Sequence, residues 1–247
     1  MNALILAAGY ATRLYPLTKD FPKPLLEVGG RTILDRLLDQ LAAIPALGRI
    51  VLVTNRRFRP HFERWRLGRP DPRGVELLDD GTASNEDRLG ALGDLRFALE
   101  QAHIEDDLLV TAADNILRFP LSAFAAAFRA RRAVQVCVHV VDDLERRRRT
   151  GIAVLGADDR VLEFAEKPRE PKSHWGVPPI YLFPSSALAR LRAYLEAGGS
   201  PEAPGHFIEW LHRVEPVFAH RINGSILDIG TPESLEAARR LCCDQGR

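Results

Sequence analysis

Two carboxylates and a few cations are the residues of this 247-residue chain whose placement points to chemistry. Asp114 follows the apolar run 108–113, and a carboxylate at the carboxyl end of a buried strand lies in the crevice of an open α/β sheet. Asp228 stands just ahead of Thr231 and Pro232, which supply the cap and first position of a helix. Capping falls to Thr231, which leaves Asp228 free for a cation. Near the N-terminus, four apolar residues from Ala3 to Leu6 lead into Ala7, Ala8 and Gly9, then Thr12, Arg13 and Lys23. Small residues let a second body approach the backbone. Exposed N–H groups, a hydroxyl, a planar guanidinium and a mobile ammonium at the end of a buried strand suit a phosphate chain.

The elements that must position these groups alternate. Residues 3–6, 50–55, 75–78 and 108–113 read as buried strands, and helical spacing runs through Ile33, Leu34, Leu37, Leu38 and Leu41 until Pro45. Thr32 followed by Asp35 is a capping-box pattern. Residues 58–67 and 89–102 complete a strand–helix alternation that argues for parallel strands joined by right-handed crossovers. The polar loop 79–88 leaves the third strand on the crevice side, so Thr82, Ser84 and Asn85 are expected to face a nucleobase and sugar. Further on come a helix over 121–131, a strand over 133–141 and a hairpin over 151–164. Ser185 is expected to cap a helix reaching Glu196, and 198–205 reads as a Gly/Pro-rich linker before a short helix over 206–213 and a strand over 215–222. The run Arg146-Arg147-Arg148-Arg149 reads as a solvated face, with a share in phosphate steering or a subunit contact as alternatives that nothing else in the sequence supports. Trp175 reads as packing, with sugar stacking as the alternative.

Composition bounds the function. A formal net charge of +1 gives no broad attraction to nucleic acid or an anionic membrane, and no apolar run approaches a membrane span. Met1 leads directly into the first strand, leaving no room for a signal peptide, so the cytoplasm is the expected compartment. Cys137, Cys242 and Cys243 lack the spacing of a zinc or redox motif and are expected to be reduced, partly buried thiols.

The stretch Leu6-Ala7-Ala8-Gly9-Tyr10-Ala11-Thr12-Arg13-Leu14-Tyr15-Pro16-Leu17-Thr18, with Pro22-Lys23-Pro24-Leu25-Leu26 behind it, resembles the first signature of the sugar nucleotidyltransferases, and most nearly their hexose-1-phosphate thymidylyltransferase branch. The family has a third glycine where Ala11 stands; the loop here is expected to keep φ negative. Glu166-Lys167-Pro168 resembles the second signature, and Ala113-Asp114 and Asp228-Ile229-Gly230-Thr231 the two metal motifs. Pro178-Pro179 stand where relatives have a small residue and glycine, which stiffens the expected sugar-pocket wall.

The resemblance implies a three-layer α/β/α, Rossmann-like (GT-A-like) fold with a mostly parallel central sheet. It implies one domain over 1–247, with a nucleotide-binding half (1–115) and a sugar-phosphate-binding half (116–247). No hexapeptide repeats follow, so a C-terminal β-helix is not expected. The implied reaction joins a nucleoside triphosphate and a sugar-1-phosphate, releasing pyrophosphate by in-line attack on the α-phosphorus. In that scheme Asp114 and Asp228 hold Mg²⁺, Arg13 and Lys23 neutralise phosphate charge, and residues Leu6, Ala7, Ala8, Gly9 and Thr12 seat the nucleotide. Gly151, Glu166, Lys167 and Val177 take the sugar phosphate. Relatives are often homo-oligomers. CTP- or GTP-dependent transfer to another phosphomonoester such as phosphocholine stays open as the alternative; a nucleotide-sensing regulatory subunit is disfavoured because both aspartates and the lysines are retained. A dinucleotide oxidoreductase is excluded, since Pro16, Pro22 and Pro24 forbid the helix it needs after the first loop.

Overall fold

Residues 2–6 form the interior strand β1 (Asn2–Leu6), flanked by strands on both edges, with Ala3, Leu4 and Ile5 wholly removed from solvent. The computed structural model describes residues 1–68 and 74–243; the Cys243 side chain lies outside that description. After β1 the short strands β2 (Glu27–Val28) and β3 (Arg31–Thr32) pair about the Gly29-Gly30 turn, whose glycines both take positive φ. Thr32 caps α1 (Ile33–Ala42), its Oγ1 accepting the Asp35 amide at 3.0 Å. The alternation continues through β4 (Ile50–Thr54), α2 (Arg59–Leu67), β5 (Glu76–Asp79), α3 (Ala91–Gln101) and β6 (Leu108–Ala112). The second half adds β7 (Asn115–Arg118), α4 (Leu121–Arg131), β8 (Val134–Val140), α5 (Leu144–Arg147), β9 (Gly151–Leu155) and β10 (Val161–Ala165). Then come β11 (Trp175–Val177), β12 (Ile180–Phe183), α6 (Ser185–Glu196), α7 (Pro204–Leu211), β13 (Val217–Arg221), β14 (Ser225–Asp228) and α8 (Pro232–Cys243).

The main sheet has ten strands in the order β10-β9-β11-β8-β12-β6-β1-β4-β5, with β13 on β8. β5, β4, β1 and β6 are mutually parallel. β12 runs against both β6 and β8, and β13 runs with β8, so β8, β9 and β13 keep the direction of β1 while β10, β11 and β12 oppose it. The mostly parallel sheet expected from the sequence is therefore present. One face is covered by side chains of α3, α6 and α7, including Leu92, Leu95, Leu191, Phe207 and Leu211. The other is covered by α1, α2 and α4, including Leu34, Leu37, Phe62, Phe124 and Phe128. A third apolar cluster seats Leu235 and Ala238 of α8 against Leu14, Val28, Ile116 and Ile229.

β11 and β12 together track β8: Trp175 and Gly176 pair with Val140 and His139, and Tyr181 and Leu182 with Val136 and Gln135. Their other edges diverge, β11 to β9 and β12 to β6. Pro178 and Pro179 occupy the fork. Lacking N–H groups, they leave no donor unpaired where the ladder splits, while the Pro179 carbonyl still accepts the Ala112 amide at 3.1 Å.

Several expectations are corrected here. Ser185 is the first residue of α6, not its cap; Pro184 holds the cap position without a side-chain bond, and the Ser185 amide donates to Asp107 Oδ1 at 3.1 Å. Trp175 packs against the core as expected, with the Arg221 guanidinium 4.8 Å from its ring centre, and lines neither of the two cavities at the strand ends. The segment read as a linker starts a helix at Pro204, and the Pro201 carbonyl accepts the Leu92 amide at 2.8 Å. The ribbon of β7 and β14 was not legible as paired strands. Cys137 is buried and Cys242 partly buried; both are free thiols. Among the described residues no helix is long and apolar enough to cross a membrane.

Candidate active site

The loop after β1 is braced from beneath. The Ala113 amide donates to the Leu6 carbonyl at 3.1 Å, Asn55 Nδ2 donates to the Ala8 carbonyl at 2.8 Å, and the buried Thr18 hydroxyl donates to the Ala11 carbonyl at 2.8 Å. Ala11 lies in the left-handed region at φ 47° and ψ 44°, contrary to the negative φ expected. The Thr18 bond and the Leu14 amide, which donates to the same carbonyl at 2.9 Å, hold a conformation costing an alanine roughly 1 kcal/mol. A Cβ added at Gly9 would meet nothing within 4 Å, so the protein itself does not need glycine there. The space belongs to the crevice.

Two cavities open on the strand ends. One, about 380 Å³, is lined by residues 6–9, Arg13, Lys23, Gly90, Asp94 and Asp114. The other, about 640 Å³, is lined by Arg13, Asp114, Asp228, Gly151, Glu166, Lys167 and Val177 together with Pro178 and Pro179. They share Arg13, Asp114, Pro179, Ala203, Pro204 and Gly230, so the crevice is continuous across the metal motifs expected from the sequence.

The β7–β14 ribbon brings the two aspartates together. Asp228 pairs with Asn115, and the Ile229 amide donates to the Asp114 carbonyl at 3.2 Å. Asn115 Nδ2 holds Asp114 Oδ1 at 2.6 Å, and Lys23 Nζ holds Asp114 Oδ2 at 3.0 Å. The pKa of Asp228 is raised, first by burial and then by the charge of Asp114, with Lys23, Arg13 and Arg146 partly offsetting the rise. Asp228 nonetheless stays exposed to the crevice, and two adjacent carboxylates form a site whose charge a divalent cation would relieve. Among the described residues no group of three or more His, Cys, Asp or Glu side chains could hold a metal. A two-carboxylate set suits Mg²⁺, which keeps its other positions for phosphate and water.

Glu166 is 8% exposed and lies 3.7 Å from Lys167 Nζ. Burial raises its pKa, against the opposing charges of Lys167 and His206. A Cβ at Gly205 would overlap Glu166 Oε2, and one at Gly151 would come within 3.1 Å of it and 2.7 Å of Phe164 Cζ. Both glycines therefore make room for this carboxylate at the cavity wall. The role of Gly205, inside the apparent linker, had no signal in the sequence beyond its small size.

Other expected residues are not brought to the crevice. Thr12 is exposed on the turn Thr12–Leu14 and lines neither cavity. Thr82 is buried: its amide and hydroxyl both donate to Asp80 Oδ1 at 2.8 Å, and its Oγ1 lies 3.3 Å from the Tyr10 hydroxyl. Ser84 binds Asp87 within its own loop, and Asn85 offers its carbonyl to Arg88 at 2.8 Å; neither lines a cavity. The middle of the loop satisfies itself with short Asx-type bonds instead of presenting these side chains. From this region Arg88, at the end of the loop, and Gly90, Ala91 and Asp94 line the nucleotide-side cavity, and Asp94, on α3, is the buried carboxylate among them. It is 7% exposed, its pKa is pushed up to about 8 by burial and then by Asp80, and Asp94 Oδ1 and Asp80 Oδ2 are both buried without a conventional partner. One shared proton would satisfy both oxygens.

This architecture, with a crevice between a phosphate-type loop and a buried glutamate joined over two aspartates, defines an α/β enzyme class that transfers nucleotidyl groups. The sequence model described as nucleotidyl transferase matches residues 2–245, and the chain belongs to that family. A UTP–glucose-1-phosphate uridylyltransferase of Haloferax volcanii is 29% identical over 243 residues, covering 97% of this chain and 96% of that protein. A Bacillus anthracis structure assigned provisionally as a glucose-1-phosphate thymidylyltransferase, in complex with sucrose, is 25% identical with a TM-score of 0.84, covering 99% of this chain and 96% of the other. A UDP-glucose pyrophosphorylase complexed with UDP-glucose shares the fold at 17% identity and TM-score 0.83, over 99% and 98% of the two chains.

Proposed function

We propose that the chain transfers a uridylyl or thymidylyl group from the nucleoside triphosphate to a hexose-1-phosphate. An acceptor phosphate oxygen bonds to the α-phosphorus, the bond to the β,γ-phosphates breaks, and pyrophosphate leaves. The carrying observation is the continuity of two cavities over Asp114, one walled by the small-residue loop and the other by Glu166 and Lys167. The sugar and pyrimidine readings draw support from the similarity to the uridylyltransferase and thymidylyltransferase named above.

Both substrates are anions, so positioning and charge neutralisation are the main requirements. The backbone of residues 6–9 seats the nucleotide. Arg13, at the junction of the cavities, stabilises charge on the reacting phosphorus and on leaving pyrophosphate, and Lys23 neutralises the α-phosphate. Lys167 holds the acceptor phosphate, and Glu166 accepts a sugar hydroxyl. Asp114 and Asp228 would hold Mg²⁺, which supplies electrostatic stabilisation of phosphate oxygens when bound. No general base is needed, because a phosphate monoester is already ionised. The whole chain acts as one unit in this reading, residues 1–115 serving mainly the nucleotide and 116–247 the acceptor.

The test is pyrophosphate release with UTP, dTTP, CTP, GTP and ATP against hexose-1-phosphates and phosphocholine, with Mg²⁺ and with a chelator. Turnover with a pyrimidine donor and a hexose-1-phosphate, lost on chelation, supports the reading. Turnover confined to phosphocholine, or none with any pair, overturns it.

A further inference from the structure

The arginine run is exposed at Arg146, Arg148 and Arg149, as expected of a solvated face, but the partners of its side chains divide it in two. Arg147 donates to the Ser173 and Asp142 carbonyls, and Arg148 donates to the Arg169 carbonyl at 3.1 Å and pairs with Glu145 at 2.6 Å. These two tie α5 and its exit down to the segment after the hairpin. Arg146 and Arg149, three residues apart on one side of the turn, line the acceptor-side cavity instead. Among the described residues neither guanidinium donates a hydrogen bond or forms an ion pair, although acidic partners abound elsewhere on the surface. Asp143 fixes the turn, its Oδ1 accepting the Arg146 amide at 2.7 Å. The charge of Arg146 reaches Asp228 and the half-buried His139, whose pKa is lowered by burial and then by Arg146. Two uncompensated guanidiniums in a concave wall focus positive potential there, and a planar fork suits a phosphate.

We propose that Arg146 and Arg149 form a clamp for the acceptor's phosphate in the cavity they line together with Lys167 and Asp228, where that phosphate must come to meet the nucleotide. The clamp rests on the function proposed above and extends it: acceptor binding uses a cationic pair outside both signatures. It holds the acceptor in place and leaves the nucleotide to Arg13, Lys23 and the loop after β1.

The test compares Arg146→Ala, Arg149→Ala and the double variant with Arg148→Ala, which lies off the cavity. In steady-state assays the first two should each raise KM for the acceptor about 10-fold or more, as for a lost charge-assisted hydrogen bond, with KM for the nucleotide changed less than about 2-fold. Arg146→Lys should recover part of the loss, and Arg148→Ala should leave both constants near wild type. An unmoved acceptor KM overturns the clamp. So does a fall in kcat with an altered Mg²⁺ requirement alone, which would mean that Arg146 merely screens Asp228. A parallel ³¹P NMR titration with inorganic phosphate needs no turnover. Weaker phosphate binding in the double variant supports the clamp even where no nucleotidyl transfer is found, an outcome that would sink the function but not the clamp; equal binding in both proteins overturns the clamp.

Discussion

Asp228 stands directly opposite Asn115 in the β7–β14 ribbon, one residue from Asp114. A carboxylate contributed by the last quarter of the chain is thereby fixed beside one that ends a central strand. Hydrogen bonds from Asn115 and Lys23 occupy both Asp114 oxygens, while Asp228 answers to Asp114 only through charge.

Removing either carboxylate charge should therefore abolish the reason for the pair. Asp114→Asn and Asp228→Asn are expected to lower kcat/KM by about 10²- to 10³-fold or more, with the circular dichroism spectrum unchanged. Continuous pyrophosphate release over a Mg²⁺ series measures this, and near-wild-type turnover in either variant would remove the metal assignment.

Glu166 depends on glycines far away in sequence. Gly205→Ala places a methyl where Glu166 Oε2 now lies, so the carboxylate must turn away from the wall. The expected result is a rise of about 10-fold in acceptor KM, from losing one hydrogen bond to a charged group, with little change for the nucleotide. Lys167→Ala should act in the same direction. Initial-rate measurements at saturating nucleotide decide both, and an unchanged acceptor KM would place Glu166 and Lys167 outside acceptor binding.

The Asp80–Asp94 pair makes stability depend on pH. The pKa of Asp94 rises in the fold from 3.8 to about 8, so between those values the folded protein binds more protons than the unfolded chain. Its contribution is fully present below pH 4 and is lost as pH climbs through about 8. Asp80, raised chiefly by its own burial, adds in the same sense. Thermal unfolding from pH 5 to 8.5 should show the wild type losing on the order of a few kcal/mol relative to Asp94→Asn. Parallel pH profiles for the two proteins would contradict this.

Ala11 carries left-handed strain where a glycine would carry none. Ala11→Gly should change stability by between zero and about +1 kcal/mol, the relief of strain being partly offset by the freer unfolded chain. Urea unfolding reads this directly; a clear loss of stability would show that the methyl packs usefully against the third apolar cluster.

The sequence by itself determined most of the longer strands and helices and carried the two signatures that mark the family. Unbroken apolar runs such as 3–6 and 50–53 suit strands covered on both faces, and Thr32 or Thr231 can start a helix through bonds spanning three residues. Such features are local, and local physics is written in consecutive residues. What tertiary structure alone decided is long-range. The ribbon joining residues 115–118 to 225–228 unites the aspartates. The fork at Pro178-Pro179 opens the wall, and Gly205 yields its space to Glu166. Thr82 and Asn85 looked well placed because their loop leaves a crevice-facing strand end, yet their bonding partners turn them into the loop itself. The arginine run divided for the same reason. Which guanidiniums find a carbonyl and which face a cavity depends on segments more than twenty residues away, brought near only by packing.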